Sequence, residues 1–119
     1  MSPAPRPSKA APLLLGTLDM LILRTLEHGP AHGHDISRHL RHTTRDVLQV
    51  EHGSLYPALH RLEARGWISG KWERHGGRNR EFRYYRLTAA GRRRLSSEHQ
   101  RWQTLVAAIA SVMRPTPGF

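Results

Sequence analysis

The feature that most constrains this chain is a change of hydrophobic period at Gly66. Upstream, apolar residues recur at helical spacing; for about twenty residues downstream they alternate as in strands. Leu18, Leu21, Ile22, Thr25 and Leu26 follow the i, i+3, i+4, i+7, i+8 pattern, and Met20 and Leu23 broaden the face. Thr17 is the expected N-cap of this first helix, and Gly29-Pro30 ends it. A second, shorter helix fits 33–44, with Ile36 and Leu40 one turn apart. After a less regular connection, Ser54 is placed as the N-cap of a third helix. Pro57 then falls in the first turn, where its missing N–H costs little. Leu55, Ala58, Leu59 and Leu62 form the buried stripe of that helix, and Tyr56, Pro57, His60 and Arg61 its opposite face.

Beyond Gly66, Ile68 and Trp72 share one side of a strand over 67–74, and Tyr85 and Leu87 one side of a second over 80–87. Between them, His75-Gly76-Gly77-Arg78-Asn79-Arg80 has the glycines of a turn and the arginines of an anion-binding tip. Three helices followed by a hairpin is the order of a winged helix-turn-helix. The expected fold is therefore mainly α with a small β-hairpin, the winged domain spanning 13–87, preceded by a disordered Pro/Ala/Ser-rich tail over 1–12. A last helix occupies 88–114, opening at Thr88, with a short tail over 115–119. In it Leu95, Trp102, Leu105, Ile109 and Val112 step by seven, three, four and three residues, the a and d spacing of a coiled-coil seam that Val106 and Met113 widen. A helix of about 39 Å is too long to bury against a domain of ~75 residues. A twofold homodimer through those five residues is expected, the alternative being a helix folded back on its own core.

The 119 residues suffice for one domain, and 19 Lys+Arg against 9 Asp+Glu leave a formal charge of +10. The excess is concentrated. Between 67 and 94, Lys71, Arg74, Arg78, Arg80, Arg83, Arg86, Arg92, Arg93 and Arg94 face only Glu73 and Glu81, a net of +7. Arginine's planar fork suits phosphates and guanine edges, so the expected partner is a polyanion. No apolar run approaches the ~20 residues of a membrane span, and no secretory pattern opens the chain, so a cytoplasmic location and no membrane partner are expected. Cysteine is absent, which excludes disulfides and thiolate metal sites. Among nine histidines, His32 and His34 are near neighbours and His39 and His42 share a helix, but no carboxylate cluster completes a ligand set; no metal or cofactor is expected. With no nucleophile elbow, phosphate-cradling loop or paired carboxylates, enzymatic activity is not expected either.

Several blocks of residues are more specific than this outline. They are the string Gly29-Pro30-Ala31-His32-Gly33-His34-Asp35-Ile36, the block Gly53-Ser54-Leu55-Tyr56-Pro57-Ala58-Leu59-His60-Arg61-Leu62-Glu63, and Tyr84-Tyr85-Arg86-Leu87-Thr88-Ala89-Ala90-Gly91. Together they resemble the PadR family of transcriptional regulators, over about 16–113, and the single short C-terminal helix resembles its small-subunit branch. His34 departs from the pattern, standing where such sequences commonly carry Tyr. The resemblance implies a homodimeric repressor on a pseudo-palindromic duplex DNA operator, released by a small, often aromatic, effector. By position it implies DNA contacts from Ser54, Tyr56, Pro57, His60 and Arg61 and, in the wing, Arg78 and Arg80.

The chemistry of these side chains leaves roles open. Arg61 suits a base edge or a phosphate clamp, Tyr56 a phosphate contact or packing, and His60 a purine acceptor or mere solvation. Arg78 and Arg80 suit phosphate or a narrow minor groove. Trp102 suits the core or the border of an effector cavity. A competing reading of the same basic winged fold is an RNA- or ribosome-associated module without operator specificity.

Overall fold

The computed structural model describes residues 16–74 and 80–115. The expected tail over 1–12, the last residues of the expected C-terminal tail, and Arg78 at the hairpin tip lie outside the described residues. Helix α1 (Thr17–Glu27) is followed by a two-residue strand β1 (Ala31–His32), helix α2 (Gly33–Thr43) and helix α3 (His52–Ala64). Strands β2 (Ile68–Glu73) and β3 (Phe82–Leu87) form the hairpin, and α4 (Ala89–Met113) closes the chain. The sheet is antiparallel in the order β1-β3-β2, with Ala31 opposite Tyr85 and Ile68 opposite Leu87. The expected hairpin is present, enlarged by β1, which two residues beside a proline do not announce. His32 does double work there: it pairs with Tyr84 and its Nδ1 caps α2 by accepting from the Asp35 N–H at 3.2 Å.

The core lies where α1, α2, α3 and the base of the hairpin meet. Ile22, Leu23, Ile36, Leu55, Leu59, Leu62 and Ile68 are fully buried in it. The apolar residues read from periodicity in α2 and α3 are buried, as are Ile22, Thr25 and Leu26 of α1, with Leu18 and Leu21 partly buried at the edge of the core. Two helix starts differ from expectation. Thr17 is the first residue of α1, behind a left-handed Gly16, and makes no capping bond. Ser54 is not the N-cap of α3. The helix begins three residues earlier because extended Glu51, the N-cap, offers its carbonyl to the Ser54 and Leu55 N–H groups at 3.0 and 2.9 Å. Pro57 therefore sits in the second turn and removes the helical donor of the Gly53 carbonyl, which is tolerable because Gly53 is exposed to water.

The junction from α3 through the hairpin to α4 is tightly made. The Thr88 hydroxyl donates to the Gly66 carbonyl at 2.7 Å and accepts from the Gly91 N–H at 3.0 Å, while the Thr88 N–H donates to the Trp67 carbonyl at 3.1 Å. A Cβ on Gly91 would be driven into that Trp67 carbonyl, with Leu87 Cδ1 only 2.8 Å away. The Thr-Ala-Ala-Gly block thus caps α4 and lets it cross the turn between α3 and β2 at backbone contact with Trp67.

Candidate nucleic-acid interface

Helix α3 buries Leu55, Ala58, Leu59 and Leu62. Opposite that stripe, Gly53, Pro57, His60 and Ala64 recur at steps of four, three and four, and all four are exposed. His60 is the only long polar side chain in this outward row. Ser54 and Arg61 flank it on one side and Tyr56 on the other, all exposed.

Neighbouring elements hold the flanking residues. Tyr56 lies across the N-terminus of α2: a Cβ on Gly33 would sit 3.0 Å from its hydroxyl and 3.1 Å from the ring, so glycine there makes room for tyrosine. Its ring also meets His52 edge-on at 5.6 Å. Arg61 reaches back to α1, its Nη2 donating to Asp19 Oδ1 at 2.5 Å and its Nε to Oδ2 at 3.4 Å. Arg65 lies over Trp67 at 5.2 Å, and Arg94 of α4 covers the same indole at 4.6 Å. Glu63 accepts from the Gly70 N–H at 3.2 Å and from Arg83, which ties the end of α3 to both hairpin strands. Long-range pairs of this kind, 42 residues apart for Arg61 and Asp19, leave no trace in local spacing.

On the hairpin, Arg74 pairs with Glu81 at 3.4 Å and Arg86 with Glu73 at 2.6 Å; Arg94 pairs with Glu98 at 2.7 Å. Among the described residues, Lys71, Arg80, Arg92 and Arg93 join no ion pair, so the basic segment is partly self-neutralised and partly available to an anion. Arg80 leans on Phe82 at 5.9 Å. Tyr85 is buried beside Arg83, and burial pushes its phenol above the ordinary value; Arg83 pulls it down more weakly and Glu63 raises it. Trp72 lies on the side of β2 expected for it, together with Ile68, but the two are not equally covered. Ile68 is buried in the core, whereas Trp72, four residues on toward the hairpin tip, is 59% exposed beside the last turns of α3.

Helix α4 divides along its length. Leu95, placed in the seam by its spacing, is buried in the chain's own core, and Trp102 packs half-buried against the edge of that core. Beyond them Leu105, Ile109 and Val112 are exposed, Val112 by 81%, and Val106 and Met113 lie open beside them. Between α1 and α4 runs a cleft of about 460 Å³ whose lining includes Leu21, Leu95, Trp102, Arg92 and His99. Among the described residues no group of three or more His, Asp or Glu side chains is placed to hold a metal ion, and no helix is long and apolar enough to cross a membrane.

Known proteins share both sequence and shape with this chain. The model of the transcriptional regulator PadR-like family matches residues 22–97. The transcriptional regulator Rv3488 of Mycobacterium tuberculosis is 33% identical over 97 residues, covering 82% of this chain and 86% of its own. A PadR family transcriptional regulator from Eggerthella lenta superposes with a TM-score of 0.72 at 30% identity, over 86% of each chain. A transcriptional regulator from Clostridium thermocellum gives 0.74 at 26%, over 81% of this chain and 92% of its own.

Proposed function

Because the chain belongs to the PadR-like family of transcriptional regulators, which are DNA-binding proteins and not enzymes, we propose that it acts in the cytoplasm as a homodimeric repressor on a pseudo-palindromic operator. The observation that carries the dimer is the uncovered apolar end of α4: Leu105, Ile109 and Val112 at heptad spacing, all exposed in the single chain. A second copy covers this stripe most simply, and twofold symmetry then presents two α3 helices to two half-sites. In each half-site the outward row of α3 enters the major groove with His60 and Ser54 toward base edges and Pro57 in close approach. Tyr56 and Arg61 are held as flanking contacts, and Arg78 and Arg80 of the wing meet phosphate or minor groove. A small aromatic effector fits the α1–α4 cleft, where Trp102 offers a ring and dimer packing is within reach.

The test is anisotropy binding to duplexes tiled across the upstream region of the chain's own gene, against scrambled duplexes, at about 0.15 M salt and above. Tight binding to one inverted repeat with two protomers per site is expected. Equal, steeply salt-dependent binding to every duplex, with preference for structured RNA, overturns the reading in favour of a non-specific basic module.

A further inference from the structure

A groove of about 500 Å³ separates the C-terminal end of α3 from the hairpin, lined by His60, Glu63, Ala64, Trp72 and Arg83. We propose that this groove seats one strand of the duplex backbone and that Trp72 is a DNA-contacting side chain, its indole packed against a deoxyribose. The proposal rests on the DNA-binding reading above and adds to it a contact that neither the motif nor the basic segment indicates.

Three observations carry it. Trp72 is the most exposed aromatic side chain described, although its side of β2 is the one that faces the core at Ile68. An indole left in water at that position is a contact surface in waiting. The groove is continuous with the outward row of α3, since His60 and Ala64 belong to both, so a duplex that meets α3 meets Trp72 as well. Its one carboxylate does not repel phosphate, because Glu63 is engaged by Arg83 and the Gly70 N–H. Arg83 also lies 6.0 Å from the Trp72 ring, which steadies the indole at the groove wall. Ala64 leaves the opposite wall low, and a flat apolar ring facing a shallow wall suits a sugar better than a charged phosphate.

The experiment uses the full chain and a labelled 30-bp duplex of arbitrary sequence at low salt, read by both anisotropy and tryptophan emission. DNA is expected to change the emission of the native protein, and Trp72→Phe is expected to lose most of that change while Trp67 and Trp102 remain. Trp72→Ala is expected to weaken binding about five- to tenfold with an unchanged salt slope, as for a lost aromatic contact that carries no charge. Its exposure makes an unaltered melting temperature the check on folding. An undiminished emission change in Trp72→Phe together with unaltered affinity in Trp72→Ala overturns the proposal and leaves DNA binding intact. A native protein that binds no duplex overturns both readings. If Trp72→Ala alters sedimentation of the free protein and not DNA affinity, the indole belongs to a protein contact and the proposal falls.

Discussion

At the scale of single residues, the structure separates side chains that face outward from those that are tied down. His60 stands in the centre of the outward row of α3, whereas Arg61 is held by Asp19. His60→Ala is therefore expected to relax base preference at one position of each half-site by about 1–3 kcal/mol, read by competition with single-base operator variants. Asp19→Asn is expected to change affinity for operator and scrambled duplex by equal factors. The pair is half-exposed and contributes about 1 kcal/mol or less to stability; loss of discrimination in Asp19→Asn would show instead that Arg61 reads a base. Gly91→Ala has no such latitude, since the added methyl meets backbone. It is expected to cost about 1–3 kcal/mol in urea unfolding, the penalty of overpacking without room to relax. Tyr85 sets a pH limit. Its folded pKa lies above the unfolded value of ~10, so the neutral phenol's contribution is complete below that pH and is lost as pH rises through the folded pKa. The stability curve of Tyr85→Phe is accordingly expected to fall less steeply than that of the native protein above pH ~10.

At the scale of elements, the proposed DNA complex makes the wing the electrostatic partner of α3. Replacing Arg78 and Arg80 together by Ala is expected to weaken operator and random duplex alike and to lower the salt slope by roughly one to four units in a dimer. An unchanged slope removes the wing from the mechanism. Every helix and both hairpin strands were legible in the sequence, because burial on one face imposes a period on the apolar residues and the Gly-Pro and Gly breaks punctuate it. The small strand β1 was not, since its two residues are recruited by the edge of β3 and have no period of their own. The start of α3 was misplaced by three residues, because Ser54 carries the stronger capping side chain while a backbone carbonyl at Glu51 closes the turn. Composition located the basic segment and could not say which arginines neutralise Glu73, Glu81 and Glu98, nor that Trp72 faces solvent. Those depend on where the hairpin ends relative to α3, which is a property of the packed chain.

At the scale of the whole molecule, the proposed dimer through the exposed end of α4 makes oligomeric state and DNA affinity one question. Ile109→Glu with Val112→Glu is expected to give a monomer by sedimentation, with an unaltered winged domain and at least tenfold weaker operator binding; a persisting dimer would place the interface elsewhere. The junction at Thr88 and Gly91 gives that seam a geometric meaning. Because α4 leaves the winged domain in a fixed direction, one residue inserted between 96 and 101 would turn the far end by about 100° around the helix axis while the junction stays intact. In the proposed dimer the two α3 helices would then fall out of phase with the ~34 Å repeat of the duplex. Seven inserted residues would return the seam to within ~20° of its azimuth and displace each winged domain by only about 10 Å. In the proposed complex, half-site spacing is in this sense a ruler length, counted in residues from a capping threonine to a tryptophan, and it can be lengthened without touching the residues proposed to meet bases.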